Sequence, residues 1–193
     1  QGLQAGSNDG LRAVERFGVK VVSIGFLLPK GTPVVWRGPM IGSAVRQLLH
    51  DVPWGDLDYL VIDSPPGTGD EPLSVAQLIP DAWGLVVTTP QELAMADVRK
   101  SIVFCRRIGM RILGVVENMS GLVCPHCGES IDIFGRGGAK EMTEKMQVEL
   151  LASLPLDAEF AAWADRGGAK KGDYHDVPGV SGILDEMVER IIT

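Results

Sequence analysis

The sequence predicts an α/β protein, with a mostly parallel β-sheet covered by helices on both faces. Short apolar runs alternate with segments of helical periodicity along the 193 residues. The runs are apolar at consecutive positions, which is typical of strands buried on both faces. Because ligands of such sheets bind at the carboxyl ends of the strands, the residues that follow each run are the candidates for function.

Five runs have the composition of buried strands. Each is rich in Val, Ile or Leu, is short, and is followed by a proline or a polar residue. The last run shows this pattern more weakly than the other four. The predicted strands are residues 19–28, 57–62, 83–88, 111–116 and 150–156.

Apolar residues three and four positions apart define the helices between these strands. The clearest case is the stripe of Met95, Val98, Ile102 and Cys105. The first predicted helix begins at Gly38, and the second covers 71–79 with Asp70 as its N-cap. The third contains the stripe above, the fourth lies near 139–149, and the fifth covers 180–191.

Composition and charge exclude several classes of function. The net charge of −7 argues against a surface that binds duplex nucleic acid. No apolar run approaches the roughly 18 residues that cross a bilayer, and residues 1–8 are polar, without the apolar region of a signal peptide. We expect one domain over residues 1–193, a cytoplasmic location, and neither nucleic acid nor membrane as a partner.

The loop after the second predicted strand has the residues of a nucleotide site. Asp63 directly follows the apolar run, an arrangement that holds Mg²⁺ near a nucleotide, usually through water. Two prolines then fix the backbone, while Gly67 and Gly69 permit close approach of N–H groups to a phosphate. The alternative is a simple turn into a helix that Asp70 caps.

The cysteines predict half of a metal site. Cys124 and Cys127 form a C-x-x-C pair in a metal-binding loop at residues 119–130, whereas Cys105 is expected to pack in the core. A zinc or 4Fe-4S site needs four ligands, so a symmetric dimer is the simplest completion. Zinc, with or without His126, and a redox pair remain alternatives.

Together these motifs resemble the Mrp/ApbC-type iron–sulfur cluster carrier ATPases, a MinD/ParA-like branch of the deviant P-loop NTPases. Residues 63–70 are similar to the switch II segment of that family, and the resemblance covers roughly residues 19–157. The other segments that carry it are residues 23–26, 36–40, 71–75, 87–91 and 116–120.

The resemblance implies a carrier that binds and hydrolyses ATP with Mg²⁺ and transfers a 4Fe-4S cluster to apo iron–sulfur proteins. It implies that Asp63 is the Mg²⁺-associated catalytic acid and that Gly67 lies near the terminal phosphate. It also implies that Asn118 contacts the base, which Pro155 and Asp157 border through backbone groups.

The same resemblance implies that Cys124 and Cys127 hold a cluster that bridges the two subunits of a homodimer. Zn²⁺ in place of the cluster stays open at this point, because one C-x-x-C pair suits both.

The phosphate-binding loop G-x-x-x-x-G-K-[ST] does not occur in these 193 residues, which contain no Gly-Lys pair. In the family that loop, with the first strand or strands, would precede residue 1. We therefore expect either a piece of a longer protein or a protein that has lost its ATPase half, and we favour the first. The chain as written is not expected to hydrolyse ATP well, and a sheet without those strands would expose strand edges.

Two other functions compete with the carrier. A MinD/ParA-like positioning ATPase would not need the cysteine pair, and its membrane-targeting helix would be basic, whereas residues 180–191 include Asp185, Glu186 and Glu189. A non-enzymatic, zinc-stapled dimer module would bind metal stably without dependence on nucleotide.

Overall fold

The computed structural model describes residues 11–26, 38–124, 126–135, 137–166 and 173–193. The chain forms two compact units, residues 1–80 and 81–193. The single domain over residues 1–193 stays a prediction.

The first unit contains a β-hairpin and two helices. Strands β1 (Val14–Arg16) and β2 (Val19–Val21) pair antiparallel. Phe17 and Gly18 join them with φ values of 54° and 77°, as a two-residue hairpin turn requires. Helices α1 (Gly38–His50) and α2 (Asp70–Leu78) pack against each other.

Three sequence predictions for this unit are wrong. The strand predicted at 19–28 ends at Val21, a 3-10 turn follows at Ile24–Phe26, and residues 27–28 lie outside the described residues. Residues 57–62 form no strand, and Val61 is 89% exposed. A strand needs a hydrogen-bonded neighbour, and the described residues pair no strand with this run. The N-cap of α2 is Gly69, because Asp70 is already helical.

The second unit is built around three parallel strands. Its sheet has the order β3 (Trp83–Thr88), β4 (Arg111–Glu117), β7 (Leu150–Ser153). The strands β5 (Leu122–Val123) and β6 (Ser130–Ile131) pair antiparallel in a separate hairpin. In chain order the elements are β3 (Trp83–Thr88), α3 (Glu92–Arg107), β4 (Arg111–Glu117), β5 (Leu122–Val123), β6 (Ser130–Ile131), α4 (Gly138–Met146), β7 (Leu150–Ser153), α5 (Ala158–Asp165) and α6 (Pro178–Ile192). The predicted α/β fold with a parallel sheet is confirmed.

Helices cover both faces of this sheet. Val115 and Val116 are adjacent in β4 and therefore point to opposite faces. Val115 belongs to a core with Met95, Val98 and Ile102 of α3 and with Met142 of α4. Val116 belongs to a second core, against which residues of α6 pack, among them Ile183 and Met187.

Two predicted elements of the second unit end earlier than the apolar pattern suggests. The helix α4 ends at Met146 because Gln147 adopts a left-handed conformation, with φ 51°. The strand β7 ends at Ser153, although the apolar run continues to Leu156. The backbone of Leu154 and Leu156 bonds instead to Glu117 and to Gly121.

Substituting Gly114 tests the packing of β4 against β7. A Cβ atom there would lie 2.8 Å from the carbonyl oxygen of Glu149 and 2.6 Å from Cγ of Leu151. We expect Gly114→Ala to lower the free energy of unfolding by about 1–3 kcal/mol, because the backbone of Glu149 would have to shift to make room for the new Cβ atom. Gly182→Ala in α6 is the control, since a Cβ there meets nothing within 4 Å. It should stabilise the protein by about 0.5–1 kcal/mol. Urea unfolding measures both, and equal stabilities for the two variants would contradict the packing argument.

Candidate functional site

The predicted Mg²⁺ and phosphate loop lies in the first unit. Asp63 and the residues up to Gly69 are exposed and precede α2 without regular secondary structure. Gly67 has φ 108°, and a Cβ built there meets nothing within 4 Å. Glycine is therefore required by the backbone conformation rather than by space. The exposed carboxylate of Asp63 is open to water and to a hydrated cation.

The other predicted nucleotide residues lie at the carboxyl edge of the sheet in the second unit. The parallel register aligns Thr88, Glu117 and Ser153, the last residues of the three strands. The N–H of Asn118 donates to the carbonyl of Thr88 at 2.7 Å. Asn118 is thus fixed at the strand end, where ligands of parallel sheets bind.

The side-chain amide of Asn118 uses its oxygen in a local hydrogen bond. Its Oδ1 accepts a hydrogen bond from the N–H of Met119 at 2.9 Å. Met119 itself has φ 58°, a left-handed conformation that turns the chain directly after the strand. Within the described part of the chain no group accepts from the side-chain amide nitrogen of Asn118, which could therefore donate to an acceptor nitrogen of an adenine ring.

The segment after β7 lies beside this edge. The N–H of Ser120 donates to the carbonyl of Leu154, and the N–H of Leu156 donates to the carbonyl of Gly121, both at 2.8 Å. These bonds flank Pro155 and place it next to the start of the loop that follows Asn118.

The side chain of Asp157 has a structural task that the sequence analysis missed. Its Oδ1 accepts from the N–H of Phe160 at 2.7 Å, so Asp157 is the N-cap of α5. Its backbone carbonyl also accepts from the N–H of Ala161, at 3.0 Å. A polar residue directly before the helical pattern at Ala158 was the signal for this cap.

The cysteine pair lies on an exposed hairpin. We call residues 118–137, between β4 and α4, the cysteine loop. Within it the N–H of Cys124 donates to the carbonyl of Glu129, and the N–H of Gly128 donates to the carbonyl of Cys124, both at 2.9 Å. Gly128, with φ 75°, completes this tight turn. Cys124 is half-buried and Cys127 is exposed.

The pKa values of Cys124 and Cys105 are shifted in opposite directions. Hydrogen bonds from the backbone of His126 and of Cys127, and then from the Cys127 side chain, lower the pKa of Cys124. A lowered thiol pKa favours the thiolate, which is the metal-binding form. Burial in α3 raises the pKa of Cys105, in agreement with the predicted core role.

Among the described residues, the cysteine pair offers at most two of the four ligands of a tetrahedral metal site. No group of three or more His, Cys, Asp or Glu side chains within this described part of the chain can hold one ion. The two thiols of the cysteine loop therefore need ligands from elsewhere to complete a tetrahedral set.

Glu117 is a functional candidate that the sequence analysis did not select. It is 3% exposed, at the end of β4. Its Oε2 accepts from the hydroxyl of Ser120 at 2.5 Å, and its Oε1 accepts from the N–H of Ala139 at 3.4 Å. An acid directly before Asn118, at the end of an apolar strand, was the available signal.

Comparison with known proteins gives the family. The profile described as "ParA: NUBPL iron-transfer P-loop NTPase" matches residues 2–192. The chain belongs to this family. It is 51% identical over 156 residues to the iron-sulfur cluster carrier protein of Methanocaldococcus jannaschii, covering 80% of this chain and 54% of that protein. It is 50% identical over 147 residues to the cytosolic Fe-S cluster assembly factor CFD1 of Saccharomyces cerevisiae, covering 74% of this chain and 50% of that protein.

Solved structures agree with the fold. One of them is a nucleotide-binding protein from Archaeoglobus fulgidus, solved in complex with ADP, in which cobalt was found. It is 41% identical to this chain, and its TM-score is 0.68. The match covers 83% of this chain and 63% of that one. The cell division ATPase MinD of Pyrococcus furiosus shares the fold, with a TM-score of 0.53 at 23% identity. That match covers 80% of this chain and 58% of the MinD chain.

The predicted resemblance to the iron–sulfur cluster carriers and the MinD-like fold is confirmed by these matches. The chain spans about half the length of the curated relatives it matches. Among the described residues, no helix is long and apolar enough to cross a membrane.

The pKa of Cys124 predicts its reactivity. Because that pKa is lowered, the thiolate should persist to a lower pH than in an ordinary cysteine. The rate of alkylation by iodoacetamide at Cys124 should therefore reach half its maximum at a lower pH than the rate for free cysteine does in the same buffers. Peptide mass spectrometry across a pH series measures this rate, with Cys105 as the internal control. Half-maximal labelling of Cys124 at or above the pH found for free cysteine would contradict the assignment.

Proposed function

We propose that this protein carries a 4Fe-4S cluster as cargo on Cys124 and Cys127 and delivers it to apo iron–sulfur proteins. The observation that carries the proposal is the pair of thiols at the end of an exposed hairpin, with the pKa of Cys124 lowered by backbone hydrogen bonds. Thiolates are the ligands of iron–sulfur clusters. An exposed site also suits a cargo that must leave. The carrier names of the relatives support the same function.

The proposed carrier is a homodimer in which each subunit contributes two thiolates. Three apolar side chains of the cysteine loop support this arrangement, because they are strongly exposed in the described chain. Val123 is 60% exposed, Ile131 45% and Ile133 47%. A second copy placed symmetrically across the cysteine pair would complete the four ligands and cover these side chains.

ATP with Mg²⁺ is the proposed nucleotide of the whole protein. The residues present fit it in part: Asn118 has an open amide donor for the base, and Gly67 leaves the backbone accessible to a phosphate. Asp63 would hold Mg²⁺ through water. When bound, Mg²⁺ would neutralise the phosphate charge during hydrolysis. The hydrolysis itself and the cytoplasmic location are proposals for the whole protein, supported by the P-loop NTPase family and by the cytosolic relative.

Iron–sulfur reconstitution tests the cargo. After anaerobic loading, we expect a brown dimer with about two irons per chain, which corresponds to one 4Fe-4S cluster per dimer. Cys124→Ser should abolish loading, because a hydroxyl is a poor iron ligand. Cys105→Ser is the matched control and should load normally, since Cys105 is buried in α3. Absorbance, iron and sulfide counts, and sizing measure the result. A colourless wild type with stoichiometric zinc would refute the carrier and favour the zinc-stapled module.

Asn118→Asp tests the base contact. Aspartate keeps an oxygen for the N–H of Met119 but replaces the open donor with a second acceptor. We expect the Kd for ADP to rise about tenfold, the equivalent of one lost hydrogen bond of about 1.4 kcal/mol. Calorimetric titration of both proteins measures this change, and circular dichroism controls for folding. An unchanged Kd would remove Asn118 from the nucleotide site.

A further inference from the structure

Glu117 directly precedes the cysteine loop, and its side chain also contacts Ala139, just after the loop ends. Its backbone closes β4, and its carboxylate is buried at 3% exposure. A buried carboxylate is costly unless hydrogen bonds satisfy it. Here the donors are the hydroxyl of Ser120, three residues along the loop, and the N–H of Ala139, just after the loop.

These two contacts join the flanks of the loop. Ser120 lies near its start, and Ala139 lies in the first turn of α4, which ends it. The positive end of the α4 dipole adds to the attraction, because the carboxylate lies at the helix N-terminus. One side chain thus holds both ends of an excursion of about twenty residues, at the distances of 2.5 and 3.4 Å already given.

The tip of the loop has no comparable anchor among the described residues. The hairpin β5–β6 consists of two residues per strand, and its side chains Val123 and Ile131 are exposed, as is Ile133 just after it. The direction in which the thiols point therefore depends on the base of the loop rather than on core packing at the tip.

We propose that Glu117 is a positioning residue for the cluster: it fixes the base of the cysteine loop and so sets the geometry at which Cys124 and Cys127 meet the iron. This rests on the proposed function, since it concerns cargo held by those thiolates. Glu117 does not touch the cluster. It acts through Ser120 and Ala139, and a looser base lets the two thiolates separate from the iron more often.

Ser120→Ala is the variant that tests this with least damage to the fold. It removes the hydroxyl bond to Glu117 but keeps the backbone bond from Ser120 to Leu154. Ser120→Thr restores a hydroxyl at the same position. Ser130→Ala is the matched control, because Ser130 is an exposed serine in the same loop.

The first readout is the rate at which reconstituted protein loses iron to a chelator. We expect Ser120→Ala to lose iron about tenfold faster than wild type, whereas Ser120→Thr and Ser130→Ala behave as wild type. The second readout is hydrogen exchange in the protein without cluster. The amides of Cys124 and Gly128 should exchange faster in Ser120→Ala, with no change in α3 or β3.

The outcomes separate the two proposals. Wild type that loads iron, together with Ser120→Ala that loses it at the wild-type rate, would overturn the positioning role and leave the carrier intact. Faster exchange throughout α3 and β3 would also overturn it, since the effect would then be general destabilisation. Wild type that takes up no cluster would refute the carrier, and the positioning role with it.

Discussion

The parallel pairing of β4 with β3 on one side and with β7 on the other is the constraint on which the second unit depends. It aligns Thr88, Glu117 and Ser153 at one edge of the sheet. Every strand of a parallel sheet ends at the same side as its neighbours, so the segments that follow are brought together without specific contacts of their own. The candidate base contact Asn118 and the cysteine loop both start from this edge. The burial of Val115 and Val116 on opposite faces holds the strand in place.

The cysteine loop combines a fixed base with an open tip. At the base, backbone bonds to the segment after β7 and the buried carboxylate of Glu117 hold the first residues of the loop. At the tip, the Cys127 thiol and several apolar side chains are exposed. Few buried contacts at the tip mean a low local free energy of opening. That property suits the proposed carrier site, which would bind its cargo and also release it.

Sequence reasoning was strongest where apolar periodicity coincided with a packed core. The stripe of α3 was predicted residue by residue, and β3 was predicted with its observed bounds, because in both cases the pattern reports the face that is buried. The same reasoning was wrong for residues 57–62. An apolar run specifies a strand only when a neighbour pairs with it, and such pairing is a property of the fold rather than of the run.

The sequence by itself determined the α/β class, the cysteine pair, the core role of Cys105 and the family resemblance, because each depends on local spacing or composition. The structure added which half of the Asn118 amide is engaged and that Asp157 caps α5, both through bonds within three residues along the chain. Tertiary structure alone decided that Glu117 joins the two flanks of the cysteine loop. That last fact depends on the bond between Glu117 and Ala139, which lie 22 residues apart in the sequence. Ser120 is close to the carboxylate along the chain, whereas only the packing of α4 beside β4 brings Ala139 to it.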